Sequence, residues 1–154
     1  MHTMIRNGLI AGMVIAIFSI ATTAPTAAEP LADIKYRKLV MKALGGHMGS
    51  IVGIVKGEVV RKGHLERHAN AIADIGQMTG DLFPKGSDMG ETEALPVIWE
   101  KPAAFQERVE AMKKAGAALA AAAKGDNIKA AGTALGAVGK ACGGCHKNFR
   151  KKKS

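Results

Sequence analysis

The chain is 154 residues long, which fits one domain, and it is rich in residues that favour helices. Hydrophobic residues make up 47% of it but aromatic residues only 4%, which disfavours a sheet protein, because strands favour aromatic and β-branched residues. The formal net charge is +9, yet basic and aromatic residues are not interleaved, which argues against nucleic-acid binding.

Residues 1–28 have the pattern of a secretory signal peptide. The positive charge of Arg6 precedes an almost uninterrupted apolar run over residues 9–21, and small residues follow up to Ala28. The run is shorter than the roughly 20 residues that cross a bilayer, which disfavours a membrane anchor. We therefore predict a cleaved signal at 1–28, a mature domain at 29–154 and a location in the bacterial periplasm.

Apolar residues recur with helical spacing in four segments. The first two helices are predicted over 31–56 and 62–79, and a long connection over 80–101 follows them. The third helix begins at Pro102 and ends near Gly125, and the fourth begins at Asp126 as its N-cap and continues to Phe149. Four helices with mostly short joints predict an all-α protein, an antiparallel four-helix bundle.

Two local features refine this prediction. The first helix lacks side chains at three positions, Gly45, Gly46 and Gly49, which would let another helix or a flat ring approach it closely. The connection over 80–101 combines turn-forming residues with apolar ones, including Trp99, and is therefore expected to pack back over one end of the bundle.

Both cysteines of the chain lie in one motif, Cys142-Gly143-Gly144-Cys145-His146, the attachment pattern for c-type haem. Thiols three residues apart share a helix face and can add to the two vinyl groups on one edge of the porphyrin. His146, four residues after Cys142, lies on that face and can ligate the iron. A structural zinc site would need four ligands, and a thioredoxin-like pair belongs in an α/β fold. We predict one covalent haem c.

Together with the four predicted helices, the late position of this motif resembles the class II cytochromes c, that is, cytochrome c′ and its low-spin relatives. An arginine four residues after the histidine, Arg150, is part of the same resemblance. The similarity spans the mature chain, and the other segments that carry it are residues 35–41, 82–84, 98–99 and 138–141.

The resemblance implies that the first helix crosses the distal face of the haem. Met41 then stands where some family members supply a second axial ligand opposite His146 and where others only block the iron. Met41 as ordinary core packing is the alternative, and Met48 is the second choice as ligand. The resemblance also implies that Arg37 meets a haem propionate and that Arg150 lies beside His146.

Two functions follow from the two roles of Met41. The main prediction is a periplasmic single-electron carrier with His/Met-ligated haem, which meets acidic periplasmic or membrane redox partners through its basic surface. The alternative is a five-coordinate cytochrome c′ that binds nitric oxide or carbon monoxide. Neither is an enzyme. His47, His64 and His68 are predicted to be surface residues, and the family's habit of pairing through the first helix suggests a homodimer.

Overall fold

The computed structural model describes residues 30–152, and the predicted signal peptide lies outside these described residues. Within them the chain forms α-helices and short 3-10 turns. The five α-helices are α1 (Pro30–Val55), α2 (Leu65–Met78), α3 (Val97–Glu100), α4 (Pro102–Ala122) and α5 (Ile128–Phe149). The four long ones match the predicted helices closely, whereas the short α3 lies inside the segment that was predicted to be a connection.

The four long helices form the bundle that the apolar spacing predicts. Each packs against two others, in the order α1, α2, α4, α5 and back to α1. The predicted inward stripes supply the core, in which Ile51, Ile72, Leu119 and Val138 are almost completely buried. None of the described helices is long and apolar enough to cross a membrane.

Glycine allows a close crossing between α2 and α4. A Cβ atom built on Gly116 would lie 3.1 Å from the Ala73 Cα, closer than side chains normally approach backbone. The glycines of α1 behave differently, because a Cβ on Gly45, Gly46 or Gly49 would meet nothing within 4 Å. No helix of the described chain therefore packs against these glycines, and of the three only Gly45 lines the cavity described below.

The turn between α4 and α5 corrects one prediction. Gly125 adopts the expected left-handed conformation (φ 64°), but Asp126 does so too (φ 56°), and Asn127 caps α5 by accepting a hydrogen bond from the Ala130 amide. The Asp126 carboxylate instead accepts from the Glu66 amide at the start of α2 (3.2 Å). Asp126 thus caps a neighbouring helix, because the turn carries its side chain away from α5.

A second, aromatic cluster closes one end of the bundle. The rings of Phe83, Phe105 and Phe149 meet edge to face, with successive centroids 4.9 and 5.3 Å apart. Trp99 stands against Phe83, and its Nε1–H donates to the carbonyl oxygens of Phe83 and Pro84 (3.1 Å each). The connection therefore packs back onto the bundle as predicted, and its Phe83 side chain forms part of the wall of the cavity described next.

Candidate haem-binding site

A cavity of about 480 Å³ lies between α1 and α5, beneath the connection that follows α2. This volume is within the usual range for small-molecule and cofactor sites. The cavity brings together all six residues that the sequence singled out, namely Met41 and Arg37 from α1 and Cys142, Cys145, His146 and Arg150 from the end of the chain.

The two cysteines line the α5 side of the cavity. Both are half-buried and neither forms a disulfide. Burial raises the pKa of each thiol, so both stay protonated near neutral pH and are weak nucleophiles towards general oxidants. Cys142 packs beside the main core and Cys145 beside the aromatic cluster, so the helix holds the two sulfur atoms in a fixed relation along one wall.

His146 lies next to the cysteines at the edge of the same cavity. Partial loss of hydration lowers the pKa of the imidazole, the positive charge of Arg150 lowers it further, and the negative charge of Glu93 opposes both. A lowered pKa leaves the ring neutral at neutral pH, with a nitrogen lone pair available to a metal. The environment of His146 therefore suits an axial iron ligand.

The α1 wall opposite is apolar between residues 41 and 48. Met41 and Met48 are half-buried and pack against the core, Leu44 is buried between them, and Gly45 leaves open space. A thioether on a packed helix face contributes contact area whether or not it binds iron. This part of α1 offers no hydrogen-bond donor from its side chains to the cavity.

Arg37 has a role that the sequence did not indicate, because its guanidinium anchors the connection between α2 and α3. Nη1 donates to the Leu82 carbonyl oxygen (3.1 Å) and Ser87 Oγ (2.8 Å), and Nη2 donates to the Ser87 carbonyl oxygen (2.9 Å) and Thr92 Oγ1 (2.8 Å). The side chain is 4% exposed and lies 4.8 Å from the centroid of the Phe83 ring.

These bonds bear on the predicted contact between Arg37 and a propionate. They use all four hydrogens of the two terminal nitrogens, so a propionate could be met only through Nε–H or by sharing one of them. Burial lowers the pKa of Arg37, while the Asp33 carboxylate one turn earlier raises it. The propionate contact stays a prediction, whereas the loop anchor is what the structure shows.

The same connection is fastened to the end of α5. The Arg150 Nε lies 3.1 Å from a Glu93 carboxylate oxygen, and the Lys151 amide donates to the Glu93 carbonyl oxygen (2.8 Å). The Leu95 amide donates to the Phe149 carbonyl oxygen (3.0 Å). Arg150 is therefore held beside the cavity through an acidic residue 57 positions earlier, and no local sequence pattern could have indicated that pairing.

The site fits a c-type haem. Two thiols line one wall and a neutral imidazole follows them on the same helix. Apolar side chains form much of the remaining lining, and charged residues such as Arg37 and Arg150 complete it. The other three histidines of the described residues do not line this cavity. His64 is exposed as predicted, but His47 and His68 are half-buried and hydrogen-bonded to each other, so the prediction of surface histidines is wrong for these two.

Fold and site together define a haem protein of the c type, built on a four-helix bundle. The family model described as Cytochrome C′ matches residues 32–150. Cytochrome c′ of Pararhodospirillum photometricum is 40% identical over 127 residues, which is 80% of this chain and all of the relative. The chain belongs to the cytochrome c′ family and, like its relatives, carries one covalently bound haem c.

Solved structures agree with this assignment. A nitric oxide complex of a cytochrome c prime variant from Alcaligenes xylosoxidans has a TM-score of 0.74 and 27% identity, and the match covers 81% of this chain and 98% of that one. A cytochrome c′ described as having an unusual ligand-controlled dimer dissociation has a TM-score of 0.77 and 29% identity, with 82% and 100% coverage.

These relationships correct the main functional prediction. A His/Met-ligated, low-spin electron carrier conflicts with the match to cytochrome c′ over nearly the whole described chain, and that prediction is wrong. Its basis was Met41, and a methionine at this place on a helix stripe has the same sequence signature whether it packs or ligates. In the structure Met41 packs against the core.

Proposed function

We propose that this protein is a five-coordinate cytochrome c′ whose haem iron binds nitric oxide or carbon monoxide. Cys142 and Cys145 form the thioether bonds, and His146 is the single protein ligand to iron. The observation that carries the proposal is the apolar α1 wall from Met41 to Met48, which faces the cavity without a side-chain donor. The nitric oxide complex of a relative supports it.

Each group at the site has a distinct part in this function. The bound haem supplies an iron with an open coordination position for a diatomic ligand. Met41 and Leu44 narrow the approach and exclude water, which disfavours larger or charged molecules. A hydrogen-bond donor stabilises bound oxygen more than it stabilises bound carbon monoxide. An apolar wall therefore favours carbon monoxide and nitric oxide over oxygen. The protein acts in this proposal by binding and not by catalysis.

We also propose that the protein works in the periplasm, as the pattern of residues 1–28 suggests. An electron donor must keep the iron ferrous for carbon monoxide to bind. Lys151 and Lys152, which follow the cavity-lining Arg150 in the chain, are exposed and suit a donor with an acidic surface.

Absorption spectra of protein recovered from the periplasmic fraction test the proposal. We expect high-spin spectra in both oxidation states and a shift of the ferrous spectrum when carbon monoxide is added. Met41→Ala should stay high-spin and bind carbon monoxide at least as tightly, because it removes bulk from the wall and no iron bond. The proposal would be overturned if the wild-type protein were low-spin and did not respond to carbon monoxide, and if Met41→Ala converted it to high spin.

We further propose a homodimer that forms through α1. Tyr36 and Leu39 are more than half exposed, and with Ala43 and Gly46 they form an apolar stripe on the outer face of α1. Stripes of this spacing pair helices. The relative with ligand-controlled dimer dissociation supports pairing in this family.

Sedimentation of haem-loaded protein checks this pairing. Leu39→Asp should give monomers, because it places two carboxylates in one apolar interface. Val60→Asp is the matched control, since Val60 is 81% exposed but lies in the connection after α1, and this variant should sediment like the wild type. A Leu39→Asp protein that still dimerises would show that another surface is used.

A further inference from the structure

A pair of histidines joins α1 to α2 outside the haem-binding cavity. The Nδ1 atoms of His47 and His68 are 2.9 Å apart, and the two ring centroids are 5.2 Å apart with planes tilted by 54°. Both side chains are half-buried, so solvent reaches them while the helices hold their positions. His64, one turn before His68, is exposed, and its ring centroid lies 6.4 Å from that of His68.

Two neutral imidazoles at this distance share one Nδ1 hydrogen, and each ring keeps a second nitrogen for water. Burial lowers the pKa of His68, and the neighbouring rings of His47 and His64 lower it further. The lowered pKa of His68 favours its neutral ring, which is the state in which imidazole binds metal ions. Neither ring lines the haem-binding cavity, so both are free of contacts with the proposed haem and can bind another ligand.

We propose that His47 and His68 chelate a Cu²⁺ ion through their Nδ1 atoms. Two ligands with bonds of about 2.0 Å at a right angle lie about 2.8 Å apart, whereas tetrahedral ligands lie about 3.3 Å apart. The observed separation of 2.9 Å matches the right angle of a square-planar or tetragonal site, the geometry that Cu²⁺ prefers. Cu²⁺ also has the highest affinity among the divalent first-row ions.

Binding requires only a local change. The donor ring moves its hydrogen from Nδ1 to Nε2 by exchange with water, and both Nδ1 lone pairs then turn towards the ion. No net proton is lost while both rings are neutral. Among the described residues no group of three or more histidine, cysteine, aspartate or glutamate side chains could hold a metal ion, so water would complete the coordination.

Titration of the haem-loaded protein with Cu²⁺ tests the proposal. Calorimetry should give one site, and electron paramagnetic resonance should show splitting from two imidazole nitrogens. His47→Gln and His68→Gln should each weaken Cu²⁺ binding by at least about tenfold, since even indirect support of a ligand is worth 10–100-fold. Cu²⁺ should raise the melting temperature of the wild type and leave that of both variants unchanged.

His64→Gln is the matched control and should bind Cu²⁺ like the wild type. Wild-type affinity in either pair variant, an equal loss in His64→Gln, or tighter binding of Zn²⁺ than of Cu²⁺ would overturn the proposal. Glutamine is tolerated at half-buried positions, and the two variants lie on different helices, so each one tests the site independently. Carbon monoxide binding should be the same in all three variants, which separates this site from the proposed function.

Discussion

Replacing both Cys142 and Cys145 with alanine should abolish covalent haem attachment completely, the largest effect that we expect from any substitution in this chain. Each thioether needs one of these sulfur atoms, and the sequence contains no other cysteine. Extraction of the purified protein with acidified acetone measures the result. Haem should stay with the wild-type protein and move into the organic phase with the double variant.

The single variants sharpen this test. Cys142→Ala and Cys145→Ala should each keep one thioether, and the unreacted vinyl group should shift the reduced absorption band to longer wavelength. His146→Ala is the control for attachment without ligation, because its two thioethers should survive acid extraction while its spectrum changes. Haem retained by the double variant after extraction would contradict the assignment of the motif.

Replacing Arg37 with alanine should lower the free energy of unfolding of the haem-loaded protein by about 3 kcal/mol, since hydrogen bonds to a buried charged group contribute about 1.5–3 kcal/mol each and are only partly independent. Alanine removes all four bonds and leaves the carbonyl oxygens of Leu82 and Ser87 without the donor that they have in the wild type. Urea unfolding followed by helical circular dichroism measures the change. The visible spectrum should change as well, because Thr92 and Phe83 line the haem-binding cavity.

Two comparisons separate the anchor from a simple loss of charge. Arg37→Lys keeps the charge but lacks the planar fork, so it should recover only part of the stability. Arg61→Ala removes an exposed arginine whose side chain bonds only a neighbouring carbonyl oxygen, and it should change the free energy of unfolding by less than about 0.5 kcal/mol. Equal stability of Arg37→Ala and Arg61→Ala would show that the connection holds without its anchor.

The parts of this protein that the sequence predicted are those governed by local spacing. Helix α1 was predicted from apolar residues that recur with helical spacing, and its observed bounds differ from the predicted ones by one residue at each end. The haem motif is equally local, since its chemistry depends on residues three and four positions apart on one helix. Both patterns are properties of consecutive residues, so no tertiary information was needed to read them.

The errors concern residues whose partners are distant in the chain. Arg37 bonds to residues 45 to 55 positions later, and Asp126 caps a helix that begins about 60 positions earlier. The half-burial of His47 and His68 likewise depends on a crossing of two helices. The prediction of a His/Met-ligated carrier was wrong for a different reason. A methionine that packs and a methionine that binds iron have the same sequence signature at this helical position.

The connection after α2 is fastened at both ends of the haem-binding cavity, by Arg37 to α1 and by Arg150 to the end of α5. This connection thereby links α1, which would screen the iron in the proposed function, to α5, whose His146 would ligate it, in addition to the direct packing of the two helices. A molecule that displaces α1 outward would also strain this connection, so the entrance of the haem-binding cavity resists widening as a whole. In the proposed function, the exclusion of bulky ligands would consequently depend on the stiffness of the whole arrangement, and Met41→Ala alone should relieve only part of it.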